Sequence, residues 1–313
     1  MLLAVFTALV AMVIAPVHLD IVRGGAAVIG IAAGAGAAGV LNMWYDADID
    51  AVMARTAMRP IPRGAVERKE ALVFGLVLAC AAVAILGIAT NVLAAALLAF
   101  AILFYAVAYT MLLKRRTPQN IVIGGAAGAL PPVIGWVSAT GSMSAEPLVL
   151  FLIIFFWTPP HFWALSLNRV TEYRQAHVPM LPVVAGRTAT TRQILAYAAL
   201  LMPMSLLPWV LGFAGTMYAA VAFLTSAIFV VLALRLHRSA ATDRRAAYRL
   251  FAFSIVYLFA IFAALLANGR GDRVATRPSP PDHSLPVIAA TSRLLLQAAN
   301  HEPRPNHSGA EGV

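Results

Sequence analysis

The 313-residue chain is 61% hydrophobic and only 12% charged, with a mean hydropathy of +0.82, which excludes an ordinary soluble domain because its surface needs far more charge. Its net charge of +10 comes in short clusters between apolar runs, a pattern that points to membrane topology and away from nucleic acid. One cysteine, Cys80, excludes a disulfide framework or a thiolate metal site, and its apolar run makes it a small buried residue by expectation.

Nine apolar segments follow one another at roughly 1–17, 21–45, 68–90, 92–113, 119–138, 147–167, 191–213, 216–237 and 247–267. Each is read as a helix, since about 20 helical residues cross a bilayer, and the class is an all-α polytopic membrane protein with nine transmembrane helices. The opening "MLLAVFTALVAMVIAP" has no basic n-region and no small-residue cleavage site, so it reads as a short first span rather than a signal peptide. Basic residues fall in alternate loops. Arg55, Arg59, Arg63, Arg68 and Lys69 form one cluster, and Lys114, Arg115 and Arg116 the next. Arg169, Arg174, Arg187 and Arg192 follow, then Arg235, Arg238, Arg244, Arg245 and Arg249. The opposite loops hold Arg23 alone, so the four basic loops are expected to be cytoplasmic. The chain thus divides into a membrane domain, 1–267, and a tail, 268–313, whose Pro, Ser and His content predicts disorder apart from the patch "VIAATSRLLLQAA".

The stretch "NMWYDADIDAVMARTAMRPIPRG" holds the first polar constellation. Asn42, Asp46 and Asp50 are spaced i, i+4, i+8, which on a helix gives one face with a drift of about 40° per step. Asp48 lies about 160° from that face. Acids are disfavoured at a helix C-terminus by the dipole, so simple capping explains them poorly. Three oxygen donors on one face, Asn42, Asp46 and Asp50, suit a hard cation such as Mg²⁺. Arg55 and Arg59, just beyond, suit the oxygens of a polyanion held by that metal. A second basic group, "YTMLLKRRTPQN", brings Lys114 and Arg115 toward the same polyanion, with Thr117 and Asn120 as neutral partners.

Further along, "GGAAGALPPVIGW" places Gly124, Gly125 and Gly128 at small-residue spacing ahead of Pro131 and Pro132, which predicts close helix approach and a kink. The other long loop begins "FFWTPPHFWALSLNRVTEYRQAHVPMLPV". In it, His161 stands within Phe155, Phe156, Trp157, Phe162 and Trp163, either as a contact to a polar substrate group or as an axial ligand to a metalloporphyrin. Glu172 is the carboxylate of that loop and the natural partner of Asp46 and Asp50.

The stretch "NMWYDADIDAVMARTAMRPIPRG" resembles the first aspartate-rich motif, N-x-x-x-D-x-x-x-D, of the UbiA superfamily of membrane prenyltransferases. Within it, "DIDAVMARTAMRP", "LKRRTPQNIVIGG", "WTPPHFWALSL" and "VPMLPV" are similar to the branch that farnesylates protohaem IX, the haem O synthases. The likeness runs from about residue 2 to 267 and implies a nine-helix fold in a bacterial plasma membrane, its active site at the cytoplasmic face. It implies transfer of the farnesyl group of farnesyl diphosphate to a vinyl group of haem b, with water added and diphosphate released. By that likeness Asp46 and Asp50 hold Mg²⁺ beside Asn42, while Lys114 and Arg115 contact diphosphate. Arg55, Arg59, Trp44, Tyr45, Tyr109, Asn120, His161, Trp163, Glu172 and Tyr173 are the implied substrate contacts, the aromatic faces shielding a farnesyl cation. An association with a haem A synthase or a terminal oxidase also belongs to what the resemblance implies.

Three departures stand out. Glu172 replaces an aspartate expected before Tyr173, and the second D-x-x-x-D motif of the wider superfamily is replaced by "PHFWALSLNRVTEY". The Lys-Pro-Arg stretch expected before the first helix is also missing, which predicts a shortened first helix. Rival readings are a UbiA-type transferase acting on a quinone precursor or a chlorophyllide, an ion-coupled transporter, and a haem-binding assembly protein without catalysis. The transporter predicts acids near the bilayer midplane and paired broken helices.

Overall fold

The computed structural model describes residues 1–240 and 243–268; the tail expectation lies outside them. Among the described residues all regular structure is helical: α1 (Leu2–Ile14), α2 (Ile21–Tyr45), α3 (Ala47–Val52), α4 (Arg68–Ala89), α5 (Val92–Leu103), α6 (Asn120–Thr140), α7 (Ala145–Leu167), α8 (Val170–Gln175), α9 (Leu181–Val184), α10 (Gly186–Val210), α11 (Thr216–Arg238) and α12 (Arg244–Asn268). α5 runs directly into a π-helical segment, Phe104–Leu113. Eight helical stretches are long and apolar enough to cross a membrane, the fused α5 and π segment counting as one. With α1 they make the nine apolar helices expected. At 13 residues α1 is about 20 Å long, short of a hydrocarbon core of about 30 Å. The chain is a multi-pass integral membrane protein.

Loose contact would leave these helices little to hold them, since lipid tails are as apolar as leucine; close van der Waals packing and interhelical hydrogen bonds do the work. At Gly135 of α6 an added Cβ would stand 2.1 Å from the Ala8 carbonyl oxygen, so α1 rests directly on the α6 backbone. Gly75 of α4 similarly admits Leu41 of α2. A buried polar chain joins α10, α11 and α12: Tyr218 donates to the Ser205 carbonyl (2.7 Å), Ser205 Oγ meets Ser226 Oγ (3.0 Å), and Ser226 meets the Tyr257 hydroxyl (3.3 Å).

One expectation changes here and another holds in part. Cys80 is exposed on the outer face of α4 rather than buried, a position facing lipid. Of the small-residue set, Gly124 makes room for the Tyr109 ring (2.2 Å from an added Cβ) and Gly125 for Thr158 (3.0 Å), while Gly128 faces open space. Direct approach to a neighbouring helix backbone falls at Gly135 as well. Pro131 and Pro132 lie inside α6, and Pro159 and Pro160 inside α7, with both helices continuing through them.

Candidate active site

The acidic face predicted from spacing survives the end of α2. Asp46 separates α2 from α3 with φ −89° and ψ 15°, yet Asp46 N donates to Asn42 O (2.9 Å) and Asp50 N to Asp46 O (2.8 Å). These i to i−4 bonds carry the helical register across the junction, so Asn42, Asp46 and Asp50 stay in line. All three are buried, Asp46 completely. Buried carboxylates need partners, since an unpaired one costs several kcal/mol. Asp46 Oδ2 accepts from Asn42 Nδ2 (2.8 Å) and from the Lys114 ammonium, and Arg115 lies 3.4 Å from Oδ1. Asp50 pairs with Arg59 at 2.7 Å, and Thr56 donates to the Asp50 carbonyl at 3.1 Å, folding the post-helix turn back onto the site.

Lys114 reaches Asp46 because of the π-helical segment before it. Lys114 N donates to Tyr109 O at 2.8 Å, an i to i−5 bond, and Thr110 Oγ1 donates to Tyr105 O at 2.8 Å. In an α-helix Tyr105 and Lys114 would point about 180° apart. The wider π turn, roughly 80° per residue, returns Tyr105, Tyr109 and Lys114 to one side. All three line the same cavity. Thr110 also accepts from Asn42 Nδ2 at 3.2 Å, tying the segment to the acidic face.

Asp48 points away, as expected, and is exposed, but it has a defined partner. It takes Arg115 in a two-bond pair at 2.7 and 2.8 Å, and the guanidinium lies 5.0 Å from the Tyr45 ring centroid. The Arg115 hydrogen bond holds the Asp48 carboxyl below its ordinary value, and Asp48 in turn raises Arg115. Asp48 therefore orients the cation that faces Asp46.

A cavity of about 310 Å³ opens among these groups, at the end of the bundle that carries the basic loops. The structure brings Asn42, Asp50, Arg55, Arg59, Tyr109, Lys114 and Tyr173 to its wall. Asp46 sits behind Lys114 and Asn42, and Asn120 supports Lys114 by donating to its carbonyl at 3.2 Å. Burial raises the Tyr173 phenol above its ordinary value, so it stays a neutral hydrogen-bond donor. The wall also holds Tyr105, Met53, Thr158, Phe162, Met180 and Trp157. Tyr105 and the two methionines escaped sequence reasoning; only the π register could have marked Tyr105.

Other expected residues stand elsewhere. His161 stacks between Trp157 (4.3 Å) and Phe251 (4.8 Å) and bonds Ser254 Oγ at 2.6 Å, joining α7 to α12. Trp163 is fully buried against Tyr197. Glu172 pairs with Arg169 at 3.1 Å and does not line the cavity. Trp44 and Tyr45 flank the acidic face outside it, the Trp44 carbonyl accepting from Arg68 at 3.1 Å.

A second cavity, about 420 Å³ and walled by apolar residues apart from Tyr105, lies among α1, α2, α5 and α6. Tyr105 and Gly128 belong to both walls.

No cluster of three or more acidic, His or Cys ligands occurs among the described residues. Asp46 and Asp50, with Asn42 beside them, fit Mg²⁺, which is commonly held by one or two carboxylates plus substrate phosphate oxygens and seldom by an all-protein cage. The Arg115 Nε is buried with no protein partner, and Arg115 itself stands off the cavity wall, held by Asp48 and Asp46.

Residues 4–256 match the UbiA prenyltransferase family. The protoheme IX farnesyltransferase of Parvibaculum lavamentivorans is 58% identical over 86% of this chain and 85% of its own length. That of Methylobacterium radiotolerans is 57% identical over 86% and 85%. Among solved structures, a UbiA homolog from Aeropyrum pernix K1 superposes with a TM-score of 0.67 at 19% identity, covering 85% of this chain and 96% of that one. A UbiA homolog from Archaeoglobus fulgidus bound to DMAPP and Mg²⁺ gives 0.62 at 13%, covering 84% and 95%. With a family match over most of its length and relatives above 55% identity, the chain belongs to the UbiA prenyltransferase family.

Proposed function

We infer that the protein transfers the farnesyl group of farnesyl diphosphate to a vinyl group of protohaem IX, with addition of water and release of diphosphate. The observation that carries this reading is the identity of 57–58% over 86% of the chain to relatives named protoheme IX farnesyltransferase. The site supports it chemically. Asp46 and Asp50, with Asn42 beside them, would hold Mg²⁺, which supplies charge to stabilise the departing diphosphate. Lys114, Arg115, Arg59 and Arg55 take the remaining diphosphate oxygens, where negative charge grows as the allylic C–O bond breaks. For this Lys114 must move from Asp46 onto the substrate, and its place at the cavity wall allows that exchange.

The cation left on the farnesyl chain needs a wall that neither attacks it nor admits water early. Tyr105, Tyr109, Trp157 and Phe162 offer aromatic surfaces for that purpose. Attack by the vinyl group needs no strong base, in keeping with a cavity wall that holds no histidine among the described residues. The buried acids share an end of the membrane domain with the basic loops, and the positive-inside rule supports a cytoplasmic mouth, so the diphosphate would enter from the cytoplasm of a bacterial cell. The acids' position at the end of α2 weighs against the transporter reading, which needs them near the midplane.

The test is to supply purified protein in lipid with haem b, farnesyl diphosphate and Mg²⁺ and to follow the haem by mass. Hydroxyfarnesylated haem is the expected product; unchanged haem overturns the reading. Asp46→Ala should abolish turnover while the protein remains folded in the membrane, and retained turnover would remove Asp46 from the metal role.

A further inference from the structure

Gly128 lies in the middle of α6, where glycine destabilises a helix relative to alanine. Several other glycines of this bundle have a packing reason; Gly25 and Gly39 of α2 have none, but neither borders both cavities. Gly124 admits the Tyr109 ring, Gly125 admits Thr158, and Gly135 admits the α1 backbone. Gly128 has none: a Cβ built there meets nothing within 4 Å. Nor does it need a left-handed backbone, because positive φ occurs at Gly64, Gly141, Gly186 and Gly212 among the described glycines. Gly128 and Tyr105 line both cavities, so the two approach one another at this point. On one side lie Asp50, Arg59 and Lys114; on the other, the apolar pocket contributed by α1, α2, α5 and α6.

We propose that Gly128 and the Tyr105 ring form a neck through which the prenyl chain passes from the diphosphate cavity into the apolar cavity, and that Gly128 thereby sets the length of chain accepted. This rests on the prenyl-transfer reading above. An amphiphile with a charged head and an apolar tail needs two compartments in series, and the passage between them must stay open at its narrowest point. Any side chain at position 128 projects into that passage. The first isoprene units stay on the headgroup side, while the distal units lie beyond the neck. A residue that narrows it therefore removes the binding contribution of the distal units and leaves the headgroup contacts in place.

The experiment measures binding of inorganic diphosphate, geranyl diphosphate and farnesyl diphosphate, each with Mg²⁺, to the full chain and to G128A and G128L. Each buried methylene contributes about fourfold in affinity, so one further isoprene unit should give the full chain a clear preference for farnesyl over geranyl. In G128L that preference should fall by about tenfold or more, with inorganic diphosphate bound within about threefold of its original affinity. G128A, a smaller obstruction, should fall between. An undiminished farnesyl preference in both variants overturns the neck. So does a parallel loss for all three ligands in both variants, which would signal a general distortion. If the unaltered chain binds farnesyl diphosphate no better than inorganic diphosphate, the prenyl-transfer reading itself fails, a result distinct from either.

Discussion

Asp46, Asp48 and Asp50 sit within five residues yet do three different jobs, and their partners separate them. Asp46 is sealed under Lys114 and Asn42, Asp50 is held by Arg59, and Asp48 grips Arg115 at the surface. Replacing Lys114 by alanine removes a cation from the leaving group, so turnover should fall by about 10²–10³-fold, comparable to loss of one oxyanion donor, as read by initial rates of haem product. Asp48→Asn should act more gently. It breaks an exposed pair worth less than about 1 kcal/mol, so the melting temperature should barely move, while the apparent KM for farnesyl diphosphate rises as Arg115 loses its orientation. The pH profile follows from the lowered Asp48 carboxyl. The pair is fully present above the ordinary carboxylate range and is lost only as pH falls through that lowered value. Activity between pH 5 and pH 8 should therefore show no titration from Asp48. His161 makes the contrasting case. His161→Phe keeps the ring stack with Trp157 and Phe251, so turnover should stay within about threefold, under 1 kcal/mol in barrier; a collapse of activity would restore an iron-ligating or substrate role.

At the scale of elements, the π-helical segment decides whether the second basic cluster can act. Thr110 holds it at both ends of a short relay, accepting from Asn42 and donating to the Tyr105 carbonyl. Thr110→Val keeps the shape and removes the hydroxyl, leaving the Asn42 amide one partner short in a buried place. The loss should be about 1–3 kcal/mol of stability, with a larger fall in turnover as Lys114 drifts, measured by thermal unfolding and initial rates together. Local sequence did not announce this segment: "FYAVAYTMLL" is an ordinary apolar run, and nothing in its composition favours i to i−5 over i to i−4 bonding. The register across α2 and α3 was legible by contrast, because a spacing of four is the helix's own period and the junction keeps it.

For the whole molecule, the bundle depends on direct backbone approach around α6, the most enclosed of the spans. Gly135→Val would thrust a side chain onto the Ala8 carbonyl, displacing α1. A stability loss of about 1–3 kcal/mol is expected, seen as a lower melting temperature of the purified protein, with the acidic face and its ion pairs unaffected.

Composition and periodicity were enough for the all-helical membrane class, nine apolar helices, the side bearing the basic loops, and the one-sided display of Asn42, Asp46 and Asp50. Each is a local property, carried by hydropathy, by charge between spans, or by a spacing within one helix. Chain folding in three dimensions settled which of the candidates meet. It joined Lys114 and Arg115 to Asp46, 68 and 69 residues away, drew in Tyr105, and set His161 and Trp163 in packing contacts off the cavity wall. It also turned Cys80 outward. Those outcomes depend on helix rotation and on π register, which arise from contacts between distant segments, so no local pattern encodes them.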